Sequence, residues 1–84
     1  MGIIELRKKA NTLDAVIRIG KNGLSENLLA EFDRHLKKKK LVKAKILNNC
    51  EEDKDKLIDD IINKSNCILV SRVGNVFTLY RGKV

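Results

Sequence analysis

The hydrophobic period of the chain changes several times, and each change marks an element. Ile3, Leu6, Arg7 and Ala10 recur along one side of a short helix from Ile3 to Ala10, whose apolar face is narrow. Ala15-Val-Ile-Arg-Ile19 is a largely β-branched run between the turn-like Asn11-Thr-Leu-Asp14 and Gly20, and it suits a buried first strand. Leu28, Leu29, Phe32 and Leu36 then follow helical spacing. Ser25 is placed to cap this second helix, with Glu26 in its first turn and Leu24 stapled against Leu29. From Leu41 the period shortens again: Val42, Ala44 and Ile46 alternate with Lys43 and Lys45, which predicts a strand with one buried face and one wet, basic face.

After the polar break Asn48 to Asp53, Leu57, Ile58, Ile61 and Ile62 return to helical spacing, with Asp59 and Asp60 outward. Cys67 to Arg72 and Val76 to Arg81 are strand-like runs joined across Gly74-Asn75, a pair that suits a two-residue turn of type I′ or II′. The element order is α-β-α-β-α-β-β. Strand and helix alternate in a way that implies an α/β chain of the α+β sandwich kind, a sheet of about four strands packed against helices. At 84 residues one core is expected, a single domain over residues 1–84 that folds alone.

Composition narrows the function. The chain is 43% hydrophobic and 35% charged without proline, as an ordinary folded domain is and a disordered one is not. No apolar run approaches the roughly 20 residues of a membrane helix, and Met1 to Lys9 lacks the pattern of a signal peptide, so a soluble, cytoplasmic protein is expected. Cys50 and Cys67 stand apart without a CxxC pair and His35 is the only histidine, so Cys and His cannot assemble a four-ligand zinc site; structural thiols and no cofactor are expected.

Charge is segregated. Residues 1 to 49 hold twelve Lys or Arg and five Asp or Glu, whereas residues 50 to 84 hold six of each, so the whole excess of +7 lies in the first half. A domain that presents one face to a polyanion has this asymmetry. No helix joins a basic face to a Trp- or Phe-rich one, which argues against a membrane surface.

Two constellations carry candidate chemistry. Gly20-Lys21-Asn22-Gly23 lies between a strand and a capped helix, where free amides and the positive end of the helix dipole meet. Glycines at 20 and 23 permit unusual backbone conformations and let a phosphate approach; Lys21 adds charge and Asn22 an amide. Such GxxG turns clamp nucleic-acid backbones in KH domains, although Asn-Gly is also common in plain turns. The segment is neither a Walker A loop nor a dinucleotide fingerprint. The second constellation is Lys37-Lys38-Lys39-Lys40, continued by Lys43 and Lys45, which reads either as a solvated helix end or as a phosphate-contacting surface. Aromatics are limited to Phe32, Phe77 and Tyr80, so stacking of bases on an open sheet is not expected, and backbone recognition is. Arg81 is a candidate phosphate contact beside Tyr80. His35 has no nucleophile patterned near it, and Glu51, Glu52, Asp53 and Asp55 read as favourable charge at the start of the third helix, so catalysis is not indicated.

Gly20-Lys-Asn-Gly-Leu24 after Val16 to Ile19, Leu41-Val-Lys-Ala-Lys-Ile46, and Gly74-Asn-Val-Phe-Thr-Leu-Tyr-Arg81 form three ordered blocks. Over nearly the whole chain they resemble a CRM domain (chloroplast RNA splicing and ribosome maturation), in its stand-alone, YhbY-like form. The resemblance implies a fold similar to the C-terminal domain of a bacterial translation initiation factor, with helices against one face of a mixed four-stranded sheet. It also implies RNA binding through the GxxG loop and adjacent basic surface, and association with ribosomal RNA or large-subunit precursors, as a monomer with no small-molecule substrate. The chain departs from the family at Asp14-Ala15, where a proline is frequent, and at Lys40, where a glutamate is. Two rivals remain: a protein-interaction adaptor whose GxxG is only a turn, and an anion-binding enzyme or regulator, which needs a concave polar pocket.

Overall fold

The computed structural model describes residues 2–82. The chain runs α1 (Ile3–Thr12), β1 (Ile17–Ile19), α2 (Glu26–Lys39), β2 (Leu41–Ile46), α3 (Lys54–Ser65), β3 (Ile68–Val73) and β4 (Val76–Tyr80). The strands form one mixed sheet in the order β1-β2-β4-β3. β1 lies parallel to β2 with Arg18 opposite Lys45, and β4 runs antiparallel to both β2 and β3.

The period-2 pattern of β2 divides the core. Val42, Ala44 and Ile46 join Ile17, Ile19, Phe77 and Leu79 against Leu28, Phe32 and Leu36 of α2 and Leu57, Ile58 and Ile61 of α3. Phe32 stacks on Phe77 with ring centroids 6.1 Å apart, tying α2 to the central strand β4. The resemblance implies helices against one face of the sheet, and the structure corrects this: they cover both faces. α1 lies across the sheet from the other two, burying Leu6 and Ala10 against Val70, with Ile3, Leu41 and Tyr80 around them. The alternation along β2 and β4 explains the arrangement: Leu41 and Tyr80 necessarily point away from Val42 and Leu79, and this second apolar patch needs a cover of its own. The narrow stripe on α1 is wide enough for that.

The first strand is shorter than its β-branched run. Only Ile17–Ile19 pairs as strand; Ile17 and Ile19 are buried, while Arg18 is exposed and Val16 is 59% exposed. As an edge strand, β1 has one neighbour and buries only alternate residues. Local signals hold elsewhere. Asp53, read from the sequence only as favourable charge at the start of this helix, caps α3 by accepting from the amides of Asp55 and Lys56. The Gly74-Asn75 turn takes a positive φ (60°) only at Gly74, as type II′ requires. α2 ends on Lys40 at φ 66°, a left-handed position that glycine or asparagine fills more often, and the chain turns there directly into β2.

Candidate functional site

β1 delivers the chain to the mouth of α2 through Gly20–Gly23, closed by a bond from the Gly23 amide to the Gly20 carbonyl (3.0 Å). Ser25 caps the helix, its Oγ accepting from the Leu28 amide at 3.2 Å. The two glycines do different work. Gly20 is outside the left-handed region, and a Cβ there meets Asn49 and Leu47 only at ordinary contact distance, 3.7 Å or more. Gly23 has φ +60°, and a Cβ there falls 2.2 Å from Oε1 of Glu52. That carboxylate, on the loop between β2 and α3, accepts from the Leu24 amide (3.3 Å). The space left by the missing Cβ at Gly23 thus admits an internal carboxylate, and one helix-mouth amide is already engaged. Lys21 and Asn22 remain exposed at the tip.

A concavity of about 430 Å³ opens beside this turn. Besides the loop, it is lined by Arg18 of β1 and by Asn27, Glu31 and Arg34 of α2. Arg34 approaches Glu31 only to 3.8 Å, with both side chains well exposed, so its charge stays largely available. Because β1 and β2 are parallel, Arg18 and Lys45 stand side by side. Like charges on neighbouring strands destabilise a sheet. Among the described residues, Arg18, Lys21 and Lys45 have no ion-pair partner. Arg18, Asn27 and Arg34 were not singled out from sequence. The signals for them are the exposed position between Ile17 and Ile19 and the i, i+4, i+7 spacing of Asn27, Glu31 and Arg34 on one helix face.

The lysine run lies at the other end of α2, about 21 Å away for 14 residues at 1.5 Å each. Lys37 pairs with Asp33 (3.1 Å), while Lys38, Lys39 and Lys40 extend into solvent. Lys43 does not join them on a wet face. It is half-buried, and its Nζ donates to the Ala10 carbonyl (2.9 Å) at the C-terminal end of α1. Lys45 belongs with Arg18 on the loop side. Arg81 is likewise engaged within the fold, pairing with Asp33 (2.9 Å) and donating to the Ser65 carbonyl, so it clasps the end of β4 to α2 and α3. Hydrogen bonds from Lys37 and then Arg81 hold the Asp33 carboxyl below its ordinary value. Burial pushes the Cys67 thiol up to about 11, which suits a packed, unreactive cysteine beside the core.

A mixed sheet with a basic turn at a helix mouth defines the class: a small α/β domain built to meet an anionic partner. Residues 3–81 match the CRS1 / YhbY (CRM) domain, and the chain belongs to that family. It is 34% identical over 76 residues to Probable RNA-binding protein YqeI of Bacillus subtilis, covering 90% of this chain and 79% of that one. A protein of Haemophilus influenzae named RNA-binding protein is 33% identical over 76 residues, covering 90% and 77% of the two chains. The solution structure of SAV1595 from Staphylococcus aureus superposes with a TM-score of 0.79 at 29% identity, over 98% of this chain and 85% of that one.

Proposed function

We propose that this protein is a non-enzymatic RNA-binding module that grips the phosphate backbone at the mouth of α2, acting as a monomer on ribosomal RNA or large-subunit precursors during ribosome maturation. The observation that carries this reading is the placement of Arg18, Lys21 and Arg34 around the Gly20–Gly23 concavity, with Lys45 beside Arg18 on the neighbouring strand against the repulsion of the two charges. Such a cost is retained where a polyanion offsets it. The names of the relatives point the same way, and the chemistry of the site fits phosphate: backbone amides at a helix N-terminus beside mobile cations.

The adaptor reading draws on one feature, the Glu52 carboxylate that fills the space beside Gly23 as an ordinary structural turn would have it filled. Binding to ribosomal RNA fragments across a salt series separates the two. For an RNA binder, log K falls with log salt by roughly 0.7–0.9 per phosphate contact. Lys21→Glu, at the exposed tip of the turn, is expected to weaken binding at least tenfold with the circular dichroism spectrum retained. Undiminished binding moves the grip to the lysines at the far end of α2, and no binding to any fragment leaves the adaptor.

A further inference from the structure

A second concavity, of about 360 Å³, lies at the C-terminal end of α2, where α1, α2 and β4 meet. Its character is opposite to that of the loop site. Leu6, Leu13, Leu41 and the half-buried Tyr80 form an apolar floor, and Lys9, Lys39 and Lys40 stand around it. Among the described residues no carboxylate lines it. Asp33, on the same helix, is already held by Lys37 and Arg81, and among the described residues Lys9, Lys39 and Lys40 form no ion pair. The left-handed turn at Lys40 sets this geometry, because α2 stops abruptly and Leu41 begins β2 at the pocket wall while Lys39 and Lys40 flank it.

The positions of Lys9 and Lys39 in the last turns of their helices account for the tolerance of positive charge there. They do not account for an apolar, partly aromatic floor left open between three cations. An unstacked nucleotide combines the complementary features: a flat base with an apolar π-face, flanked on either side by phosphates. At the lower end of the roughly 300–1,000 Å³ range of ligand pockets, the volume suits one base rather than a larger group. We propose that this pocket receives a single unpaired base of the bound RNA, with Lys9, Lys39 and Lys40 on its flanking phosphates. The inference rests on the RNA-binding reading above and adds to it a preference for RNA carrying a bulged or looped-out nucleotide.

The test uses isotopically labelled full-length protein and two RNAs, a stem with one bulged nucleotide and the same stem fully paired. Tyr80 is the only tyrosine of the chain, so its ring resonances are unambiguous. The bulged RNA is expected to shift the Tyr80 ring and the Leu13 and Leu41 methyls; the paired stem is expected to shift only residues near Gly20–Gly23. The double variant Lys9→Glu/Lys39→Glu changes two exposed side chains and should leave the fold intact. It is expected to weaken the bulged RNA at least tenfold and the paired stem less than threefold. Leu13→Ala, which keeps every charge, is expected to reduce the preference for the bulge. Shifts confined to the loop with both RNAs overturn the pocket and leave the RNA reading standing. So does an equal loss for both RNAs in the double variant, which marks a general electrostatic surface. A poly-glutamate peptide that reproduces the Tyr80 and Leu13 shifts at comparable affinity overturns it in favour of a protein partner. Failure of both RNAs to bind at all overturns the pocket and the RNA reading together.

Discussion

The two ends of α2 carry positive charge in different ways. At the N-terminal end the backbone is closely specified: Gly23 is left-handed, its neighbour Glu52 fills the space of a Cβ, Ser25 caps the helix, and Arg18, Lys21, Lys45 and Arg34 come from separate elements. At the C-terminal end four consecutive lysines supply charge from one stretch of chain, and the surrounding surface is apolar. A charge assembled from distant elements has a fixed geometry, whereas a lysine run is a cloud of long, mobile side chains. The first arrangement suits positioning of a phosphate backbone, and the second suits attraction around a hydrophobic contact.

Within the loop itself, the sharpest contrast is between the glycines. Gly23→Ala combines a left-handed backbone with displacement of Glu52 and is expected to destabilise the fold by about 1–3 kcal/mol. Gly20→Ala is expected to stay within about 0.5 kcal/mol. Urea unfolding of both variants checks this, and equal losses would break the distinction. Among the basic residues, Arg18→Ala and Lys45→Ala are each expected to lower the slope of log K against log salt by about 1, the mark of a lost phosphate contact. Lys43→Ala, whose Nζ serves the Ala10 carbonyl, is expected to lower stability and leave the slope unchanged. A slope change at Lys43 would return it to the RNA surface.

Arg81→Ala removes the clasp between β4, α2 and α3 and is expected to cost about 1 kcal/mol of stability, since Asp33 is nearly half exposed, with RNA affinity retained. Loss of affinity without loss of stability would place Arg81 on the RNA after all. The smallest effect concerns pH. The Asp33 carboxyl is held below its ordinary value of 3.8, so its contribution is fully present above that value and disappears as pH falls through the lower folded one. Stability of the native chain and of Asp33→Asn, followed from pH 5 downward, should converge below pH 4; parallel curves would show that the pair contributes nothing.

Element types and the cap of α2 were legible from local pattern. Ser25 and the Gly74-Asn75 turn act within three residues of their partners, and the period of Val42, Ala44 and Ile46 follows from the pleat alone, whereas Asp53 was legible only as favourable charge and serves as the cap of α3. The lysines of β2 were legible only as charge. Lys43 and Lys45 share a face in the pleat, yet one meets the end of α1 and the other sits beside Arg18. Arg81, strand-terminal and basic, had no sequence mark of its ties to Asp33 and Ser65. The placement of α1 was hidden for a related reason: a narrow apolar stripe says how much a helix buries, and the alternation of a sheet says only that two faces exist.

By itself, the sequence determined the order of helices and strands, the buried stripe of each, the position of the turn at the mouth of α2 and the family. Those follow from backbone geometry over a few residues and from ordered blocks of residues. Only the tertiary structure decided that Glu52 would sit against Gly23, that Arg18 would neighbour Lys45, and that Leu6, Leu13, Leu41 and Tyr80 would line one pocket beneath three lysines. These groups are far apart along the chain, and their meeting depends on strand register and on the side of the sheet each helix covers, which no local period encodes.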